Sequence, residues 1–243
     1  MKTDYSYHYR KWQAEDSPAT RAYMLRYYTR MLAGYLPVEK SARLLDVGCG
    51  AGLLLGALQD LGYTEAQGVD SDEGQVRACH AKGLKAVLSN DTRQFLRDRQ
   101  DQFDRVFVID VVEHIAIADQ MEFVAALASA LKPEGSLVCR VPNANSTLAG
   151  RYRYIDFTHC CSFTEHSLDF LLHHAGFHQI QIQGVEYFSR VPWWRLPSPR
   201  HRYVWLLYLV RAWRRLEMIA ELGPQQGRAV PLSPNLLAVA HKP

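Results

Sequence analysis

This sequence of 243 residues lacks long apolar runs, cysteine pairs and a strong net charge. No uncharged run reaches the roughly 18 residues expected of a membrane-spanning helix. Residues 1–7 carry no apolar segment like that of a secretory signal peptide. The five cysteines form an odd set without a C-x-x-C pair, which argues against a disulfide framework and a zinc knuckle. These absences predict a cytoplasmic protein.

The bulk composition excludes several classes of protein. The net charge of +3 is too small to indicate a nucleic-acid partner, and we expect none. Hydrophobic residues make up 48% of the chain and charged residues 22%, as in ordinary globular proteins. The length suits one large domain, and no internal repeat is visible. We therefore expect residues 1–243 to form a single domain.

Short apolar runs alternate with helical segments along the middle of the chain. The predicted strands are Arg43–Val47, Ala66–Asp70, Leu84–Leu88, Phe103–Ile109 and Ser136–Val141, followed by residues 178–190 and Leu236–His241. A helical pattern separates each of the first five from the next. This alternation predicts an α/β fold with a doubly wound, mostly parallel sheet, whose ligands bind at the carboxyl ends of the strands.

A glycine-rich turn follows the first predicted strand. Gly48, Gly50 and Gly52 allow the backbone to turn tightly and approach a ligand, while the next helix offers free N–H groups. A dinucleotide fingerprint would need its third glycine at position 53, where this chain has Leu53. The turn therefore disfavours a nicotinamide-dependent oxidoreductase, which is the rival prediction.

Two acidic residues follow the second and third predicted strands. Asp70 is placed to accept hydrogen bonds from ribose hydroxyls, and Asp91 to accept one from an exocyclic amino group. The alternative for each is a helix N-cap or a solvated loop. The neighbouring Ser71 and Thr92 belong to the same two predicted ligand contacts.

Five sequence motifs together resemble the class I S-adenosylmethionine-dependent methyltransferase superfamily. They are Leu-Asp-Val-Gly-Cys-Gly-Ala-Gly (45–52), Gly-Val-Asp (68–70), Phe-Asp (103–104), Asp-Val-Val-Glu-His-Ile (110–115) and Leu-Lys-Pro-Glu-Gly (131–135). The resemblance implies S-adenosylmethionine as cofactor, with Asp46 and the turn 48–52, including Cys49, holding its methionine part. It further implies that Asp70 holds the ribose and Asp91 the adenine, while Ile109 and Asp110 line the sulfonium.

The expected architecture is a Rossmann-like methyltransferase fold with seven strands, the last of them antiparallel. We divide the domain into an N-terminal helical lid (1–40), a cofactor-binding core (41–190), a basic aromatic helical insertion (191–233) and the final strand (234–243). Tyr5, Tyr7, Tyr9 and Trp12 either fold over the cofactor or lie on the surface.

Three residues are candidates for catalysis on the acceptor side. A hydroxyl acceptor benefits from a base with a pKa near 7, which favours His159 and His114, with Asp156 orienting an imidazole. The alternative for His114 is a helix-start residue bonded to backbone. A metal site formed by Asp110, His114, Asp156 and His159 is disfavoured because their spacing matches no ligand motif, and we expect no metal.

The segments Val-Pro-Asn-Ala-Asn-Ser (141–146) and Tyr-Ile-Asp-Phe-Thr-His (154–159) are similar to those of methyltransferases of bacterial lipopolysaccharide and other surface-polysaccharide synthesis. This resemblance implies a sugar hydroxyl as the acceptor, in a surface polysaccharide or glycolipid. Two alternatives stay open. One is a phenol or quinone-type acceptor, since Glu-His-Ile (113–115) also resembles that branch, and the other is a non-catalytic cofactor-binding module.

Arginines and aromatic residues are mixed along residues 200–221. Such a helix suits the surface of a membrane, and a lipid-linked acceptor would bring the protein to the inner membrane. The alternative, which we favour, is that the helix packs on the sheet or forms a homodimer.

Overall fold

The computed structural model describes residues 18–186 and 202–243. Residues 1–17 of the predicted N-terminal lid (1–40), with its aromatic side chains, lie outside the described residues. So do the end of the predicted sixth strand, 187–190, and the start of the insertion, 191–201. The strands are β1 (Leu44–Val47), β2 (Ala66–Asp70), β3 (Ala86–Leu88), β4 (Phe103–Ile109), β5 (Leu131–Pro142), β6 (His178–Val185) and β7 (Asn235–His241). They form one seven-stranded sheet in the order β3-β2-β1-β4-β5-β7-β6.

Helices connect these strands on both faces of the sheet. They are α1 (Pro18–Leu32), α2 (Leu53–Asp60), α3 (Glu73–Ala81), α4 (Thr92–Arg97), α5 (Ile117–Ala130), α6 (Ala149–Tyr154), α7 (Glu165–His174) and α8 (Arg202–Ala229). A 3₁₀ turn covers Val112–His114.

The sheet confirms the predicted fold class. β1 to β5 pair in parallel, as right-handed βαβ crossovers require. β7 runs antiparallel to both β5 and β6, as expected for the last strand. Strand order reverses between β1 and β4, and such a switch point is where a ligand crevice opens in a doubly wound sheet.

Alternating side chains of the strands divide the core into two apolar clusters, one on each face of the sheet. In β4, Val106 and Val108 belong to one cluster and Phe107 to the other, and all three are fully buried. Successive side chains of β4 point to opposite faces of the sheet, and helices cover both faces. The strand is therefore a nearly continuous apolar run in the sequence.

Several strand boundaries differ from their predicted positions, most of all the start of β5. This strand begins at Leu131 instead of Ser136, so it includes Pro133-Glu134-Gly135. A shift of register against β4 accommodates this segment. In α8, Gly223, with φ of 81°, and Pro224 interrupt the helix, so its regular part ends near residue 222.

Candidate active site

A cavity of about 560 Å³ opens at the carboxyl ends of β1 to β4, within the range of roughly 300–1,000 Å³ typical of small-molecule sites. Its lining combines backbone of the glycine-rich turn with polar side chains from three strand ends. The lining residues are Val47, Gly48, Gly50, Asp70, Ser71, Asp72, Gln75, Asn90, Asp91, Thr92, Arg93, Asp110, Val111, His114, Ile115, Ala116, Asp119 and Phe123.

The glycine-rich turn needs glycine at the positions that the sequence singles out. Gly48 has φ of 71°, and a Cβ atom there would lie 2.5 Å from Cγ2 of Val111. Gly52, with φ of 77°, is the N-cap of α2, and its Cβ would lie 2.5 Å from Cδ1 of Leu84. A side chain at either position would therefore strain the backbone and displace a neighbour.

Hydrogen bonds to the Asp70 side chain connect the ends of β1 and β2. Its Oδ2 accepts a hydrogen bond of 2.8 Å from the Gly50 amide, and its Oδ1 accepts one of 2.9 Å from the Asp72 amide. Burial raises the pKa of Asp70, although these hydrogen bonds act in the opposite direction. Asp46 is 3% exposed, and its pKa is raised by burial and by the Asp70 carboxylate.

Asp91 has the capping role that we weighed as its alternative. Its Oδ1 accepts a hydrogen bond of 3.0 Å from the Gln94 amide at the start of α4. Asp91 and Thr92 also line the cavity, as does Ser71 after the neighbouring strand β2. Capping and ligand contact are compatible, because a carboxylate has several acceptor positions.

Asp110 has a left-handed backbone, with φ of 57°, directly after β4. Its carboxylate pairs in two-pronged fashion with Arg140, whose Nε donates to Asp110 Oδ1 at 2.8 Å. Arg140 is buried near the carboxyl end of β5 and also donates to the hydroxyl of Tyr27 on α1, at 2.8 Å. This pair fixes a carboxylate of the cavity wall and links it to the N-terminal helix.

His114 lines the cavity, and hydrogen bonds determine its tautomer. The Thr158 hydroxyl donates to Oδ1 of Asp156 at 2.7 Å, so its oxygen accepts from Nδ1–H of His114, also at 2.7 Å. The proton of the neutral ring is thus on Nδ1, which leaves the lone pair on Nε2. Burial acts to raise the pKa of Asp156, but the two hydrogen bonds from Thr158 prevail and lower it.

His159 does not line the cavity but stands beside His114. Its Nδ1 lies 2.7 Å from the carbonyl oxygen of Tyr152, which can only accept, so His159 also carries its proton on Nδ1. The two imidazole rings meet edge to face, with centroids 4.6 Å apart. Asp156 is linked to His114 through the Thr158 hydroxyl. Of the two histidines, His114 lines the cavity and His159 packs against the ring of His114.

Glu113 is a functional candidate that the sequence reasoning missed. It is 0% exposed, and neither carboxylate oxygen has a hydrogen-bond partner among the described residues. Burial and the nearby Asp110 carboxylate raise its pKa well above the ordinary value. The signal available in the sequence was its place in Asp-Val-Val-Glu-His-Ile, directly before His114.

The structure brings most of the predicted cofactor contacts to the cavity. These are Gly48, Gly50, Asp70, Ser71, Asp91, Thr92 and Asp110. The others lie outside the lining, namely Asp46, Cys49, Gly52 and Ile109. Apolar side chains that complete the wall, Val111, Ile115 and Phe123, were not predicted, because an apolar residue after a strand is indistinguishable in sequence from one in the core.

A family model described as a methyltransferase domain matches residues 19–182. The chain belongs to this methyltransferase family. Among solved structures, a SAM-dependent methyltransferase from Archaeoglobus fulgidus is similar over 99% of this chain and 100% of its own, with a TM-score of 0.67 and 24% identity. Phosphoethanolamine N-methyltransferase 2 from Haemonchus contortus, in complex with S-adenosyl-L-methionine, is similar over 100% of this chain and 60% of its own (TM-score 0.62, 15% identity).

Curated relatives match about half of the methyltransferase chain. A ubiquinone biosynthesis O-methyltransferase from Ruegeria pomeroyi is 38% identical over 132 residues, which is 50% of this chain and 52% of the relative. One of the same name from Dinoroseobacter shibae is 38% identical over 110 residues, 44% of this chain and 43% of the relative. The chain thus spans about half the length of the curated relatives it matches.

These findings confirm two predictions and overturn a third. The protein is an enzyme, a methyltransferase, and its cofactor is S-adenosylmethionine. The predicted sugar acceptor is wrong, because the curated relatives are O-methyltransferases of ubiquinone biosynthesis. In the Pro-Asn turn on which it depended, the Asn143 side chain binds the backbone carbonyls of Pro231 and Ser233, and in the Asp-x-Thr-His segment Asp156 and Thr158 bind each other.

Proposed function

We propose that this methyltransferase transfers the methyl group of S-adenosylmethionine to a phenolic hydroxyl of a quinone precursor. The observation that carries the proposal is the name shared by the curated relatives, ubiquinone biosynthesis O-methyltransferase. Because these relatives match over only about half of their length, the acceptor belongs to the proposal, whereas a small-molecule acceptor follows from the family. The cavity supports it with both histidine and apolar side chains in the wall.

We place the cofactor along the glycine-rich turn. Asp46 and residues 48–52 hold its methionine part, Asp70 with Ser71 holds the ribose, and Asp91 with Thr92 holds the adenine. Ile109 and Asp110 then flank the sulfonium. The support is geometric, since the ends of β3, β2, β1 and β4 meet at one cavity in this order.

The reaction is an in-line displacement at the methyl carbon. The acceptor oxygen forms a bond to that carbon while the carbon–sulfur bond breaks, and the thioether leaves with the electron pair. Most of the catalysis is positioning and exclusion of water. The hydroxyl proton must leave, and we place its departure at His114, whose Nε2 carries the lone pair and whose ring Asp156 orients through Thr158. The ring of His159 packs edge to face against the His114 ring and helps to hold it in place.

A panel of acceptors tests the proposal. The purified full-length protein is incubated with S-adenosylmethionine and, separately, with catechols, phenols and simple sugars, and release of S-adenosylhomocysteine is measured. Methylation of catechols or phenols is expected. Methylation of none of them by protein that binds the cofactor would contradict the proposal.

Variants test the part played by the histidines. His114→Ala and His159→Ala are expected to lower turnover at least tenfold, since general acid–base groups contribute on the order of 10²–10⁴-fold. Cofactor affinity should be retained in both. His166→Ala is the matched control, because His166 is exposed on α7 and away from the cavity. Full turnover in both site variants would remove the pair from the mechanism.

We also propose that α8 binds a membrane surface, where a lipophilic quinone precursor resides. The support for this proposal is a stripe of exposed apolar side chains at helical spacing on α8. Leu206 is 58% exposed, Leu209 62%, Trp213 75% and Leu216 60%. Arg211 pairs with Glu186 and Arg214 with Glu217, so the helix is less basic than its sequence indicates. Anionic lipid is therefore expected to add little to the binding.

The alternative for this stripe is a homodimer, and two measurements separate the cases. Trp213→Glu is expected to reduce co-sedimentation with phospholipid vesicles without changing the molecular mass in ultracentrifugation. A dimer that dissociates in the variant, with no vesicle binding in the parent, would favour the homodimer. In the part of the chain that the structure describes, no helix is long and apolar enough to cross a membrane.

A further inference from the structure

The segment that carries Asp91 and Thr92 lies at one edge of the sheet. It follows β3, a strand of three residues that pairs only with β2 in the described sheet. The hydrogen bond of Asp91 to the Gln94 amide is local to the start of α4. A short edge strand restrains the residues after it less than a central strand does. The shape of this end of the cavity therefore depends also on side chains that join α4 to its neighbours.

Arg93 joins the start of α4 to α5. Its Nη1 donates to Oδ1 of Asp119 at 3.2 Å and to Oε2 of Glu122 at 3.3 Å. Arg93 and Asp119 both line the cavity, and their side chains are 38% and 52% exposed. The ion pair thus lies at the rim of the cavity, where it is open to solvent on one side.

The ion pair lies next to the proposed adenine contacts. Arg93 follows Thr92 directly in the sequence, and Asp119 is one helical turn before Phe123, which lines the same cavity from α5. On the proposed placement of the cofactor, the adenine lies between the start of α4 and the first turns of α5. Arg93 joins these two helices at the cavity rim.

We propose that Arg93, paired with Asp119 and Glu122, closes the adenine end of the cofactor cavity and sets the rate at which the nucleoside leaves. The inference rests on the proposed placement of the adenine and is independent of the acceptor. Arg93 is a positioning residue, because it holds Asp91 and Thr92 against the base and takes no part in methyl transfer. Exposed ion pairs are weak and break readily, which suits a contact that must open for the product to leave.

The dissociation rate of S-adenosylhomocysteine tests this role in the full-length protein without acceptor. Bound ligand is displaced by an excess of a fluorescent analogue in stopped flow. Arg93→Met keeps the length of the side chain and removes its charge, and we expect dissociation to become about threefold to fivefold faster, the upper range for an exposed ion pair. Arg97→Met is the matched control, because Arg97 lies one turn further along α4, 3.8 Å from the same Glu122, and outside the cavity lining. Its rate should equal that of the parent.

Three further readouts distinguish closure of the cavity from a general effect on the fold. 5′-Methylthioadenosine has the adenine and ribose without the amino-acid part, so Arg93→Met should weaken its binding by the same factor as that of S-adenosylhomocysteine. Salt screens the ion pairs and should accelerate dissociation in the parent more than in Arg93→Met. The double variant Arg93→Met/Asp119→Asn should release the ligand no faster than Arg93→Met alone, because both changes remove the same contact.

Thermal unfolding verifies that the variants fold, and Asp119→Asn replaces Arg93→Met in the test if the latter does not. A parent-like dissociation rate in Arg93→Met would overturn the inference. So would an equal acceleration in Arg97→Met, which would assign the effect to loosening of α4 as a whole.

Asp91→Ala separates this inference from the proposed placement of the cofactor. If Asp91→Ala binds S-adenosylhomocysteine as the parent does, the placement of the adenine fails and the inference fails with it. If Asp91→Ala weakens binding while Arg93→Met leaves the dissociation rate unchanged, the placement is retained and only the role of Arg93 fails.

Discussion

At the scale of single residues, Arg140 and Asp110 form an ion pair in the cavity wall in which only the arginine is buried. The guanidinium side chain is 4% exposed and the carboxylate 38%. Burial acts to lower the pKa of Arg140, but the charge of Asp110 outweighs it, so the pKa of Arg140 is raised above its ordinary value. Arg140 also binds Tyr27 on α1, so three elements converge on one charge. Replacing either residue alone would leave the charge of the other without its counter-charge.

We expect Asp110→Asn to destabilise the protein by about 2–3 kcal/mol, below the roughly 3–5 kcal/mol lost when a fully buried pair is broken, since Asp110 is partly exposed. Asparagine tolerates the left-handed backbone, so strain does not contribute. Urea unfolding measures the loss. In the double variant Asp110→Asn/Arg140→Met much of it should be recovered, because no buried charge is left unpaired. Equal losses in both variants would contradict this explanation.

The raised pKa of Asp70 predicts a pH dependence of cofactor binding. In the proposed cofactor site the ionised carboxylate accepts hydrogen bonds from ribose, and burial makes it gain a proton at a higher pH than an ordinary aspartate. Cofactor affinity should thus be full above this raised pKa and fall as pH is lowered through it. Calorimetry at several pH values tests the sign. Asp70→Asn should bind weakly at every pH, and an unchanged pH profile in that variant would assign the titration to another group, such as Asp46.

At the scale of elements, the turn between β1 and α2 was predictable, and the start of β5 was not. The turn was predictable because glycines after an apolar run permit positive φ, and Gly48 and Gly52 adopt it. Pro133-Glu134-Gly135 carries the usual signals of a turn, yet Leu131 pairs with Phe103 of β4 before a shift of register. That pairing depends on the neighbouring strand, and no local pattern records it.

We expect Gly48→Ala to lower cofactor affinity at least tenfold. The substitution imposes a strained backbone, costing on the order of 1–3 kcal/mol, and its Cβ would displace Val111 in the cavity wall. Gly34→Ala is the matched control, because no atom lies within 4 Å of a Cβ built there. The two variants are compared by calorimetry with S-adenosylhomocysteine. Parent-like affinity of Gly48→Ala would show that the turn does not contact the cofactor.

At the scale of the whole molecule, the sheet gathers distant segments at one edge. The doubly wound architecture follows from the alternation of apolar runs and helices, and this edge follows from the architecture. The proximity of Glu113, His114 and His159 does not follow, because His114 and His159 are 45 positions apart in the sequence and the packed loop after β5 brings them together. The motifs misled on the acceptor, since the loop that suggested a sugar is held by its own hydrogen bonds. The alternative from Glu-His-Ile (113–115), a phenol or quinone-type acceptor, is the one that the relatives favour.

The edge of the sheet and the stripe on α8 are separate surfaces, and ligand-induced stabilisation tests their independence. S-adenosylhomocysteine at 100 times its dissociation constant should raise the free energy of unfolding by about 2.7 kcal/mol, since it binds only the folded protein. Asp70→Ala should lose most of this gain at the same concentration because its affinity is lower. Trp213→Glu should keep the full gain while losing vesicle binding, because Trp213 is exposed and not part of the cavity. Loss of the gain in Trp213→Glu would mean that α8 and the cofactor cavity are coupled, so that binding at the proposed membrane surface also regulates the enzyme.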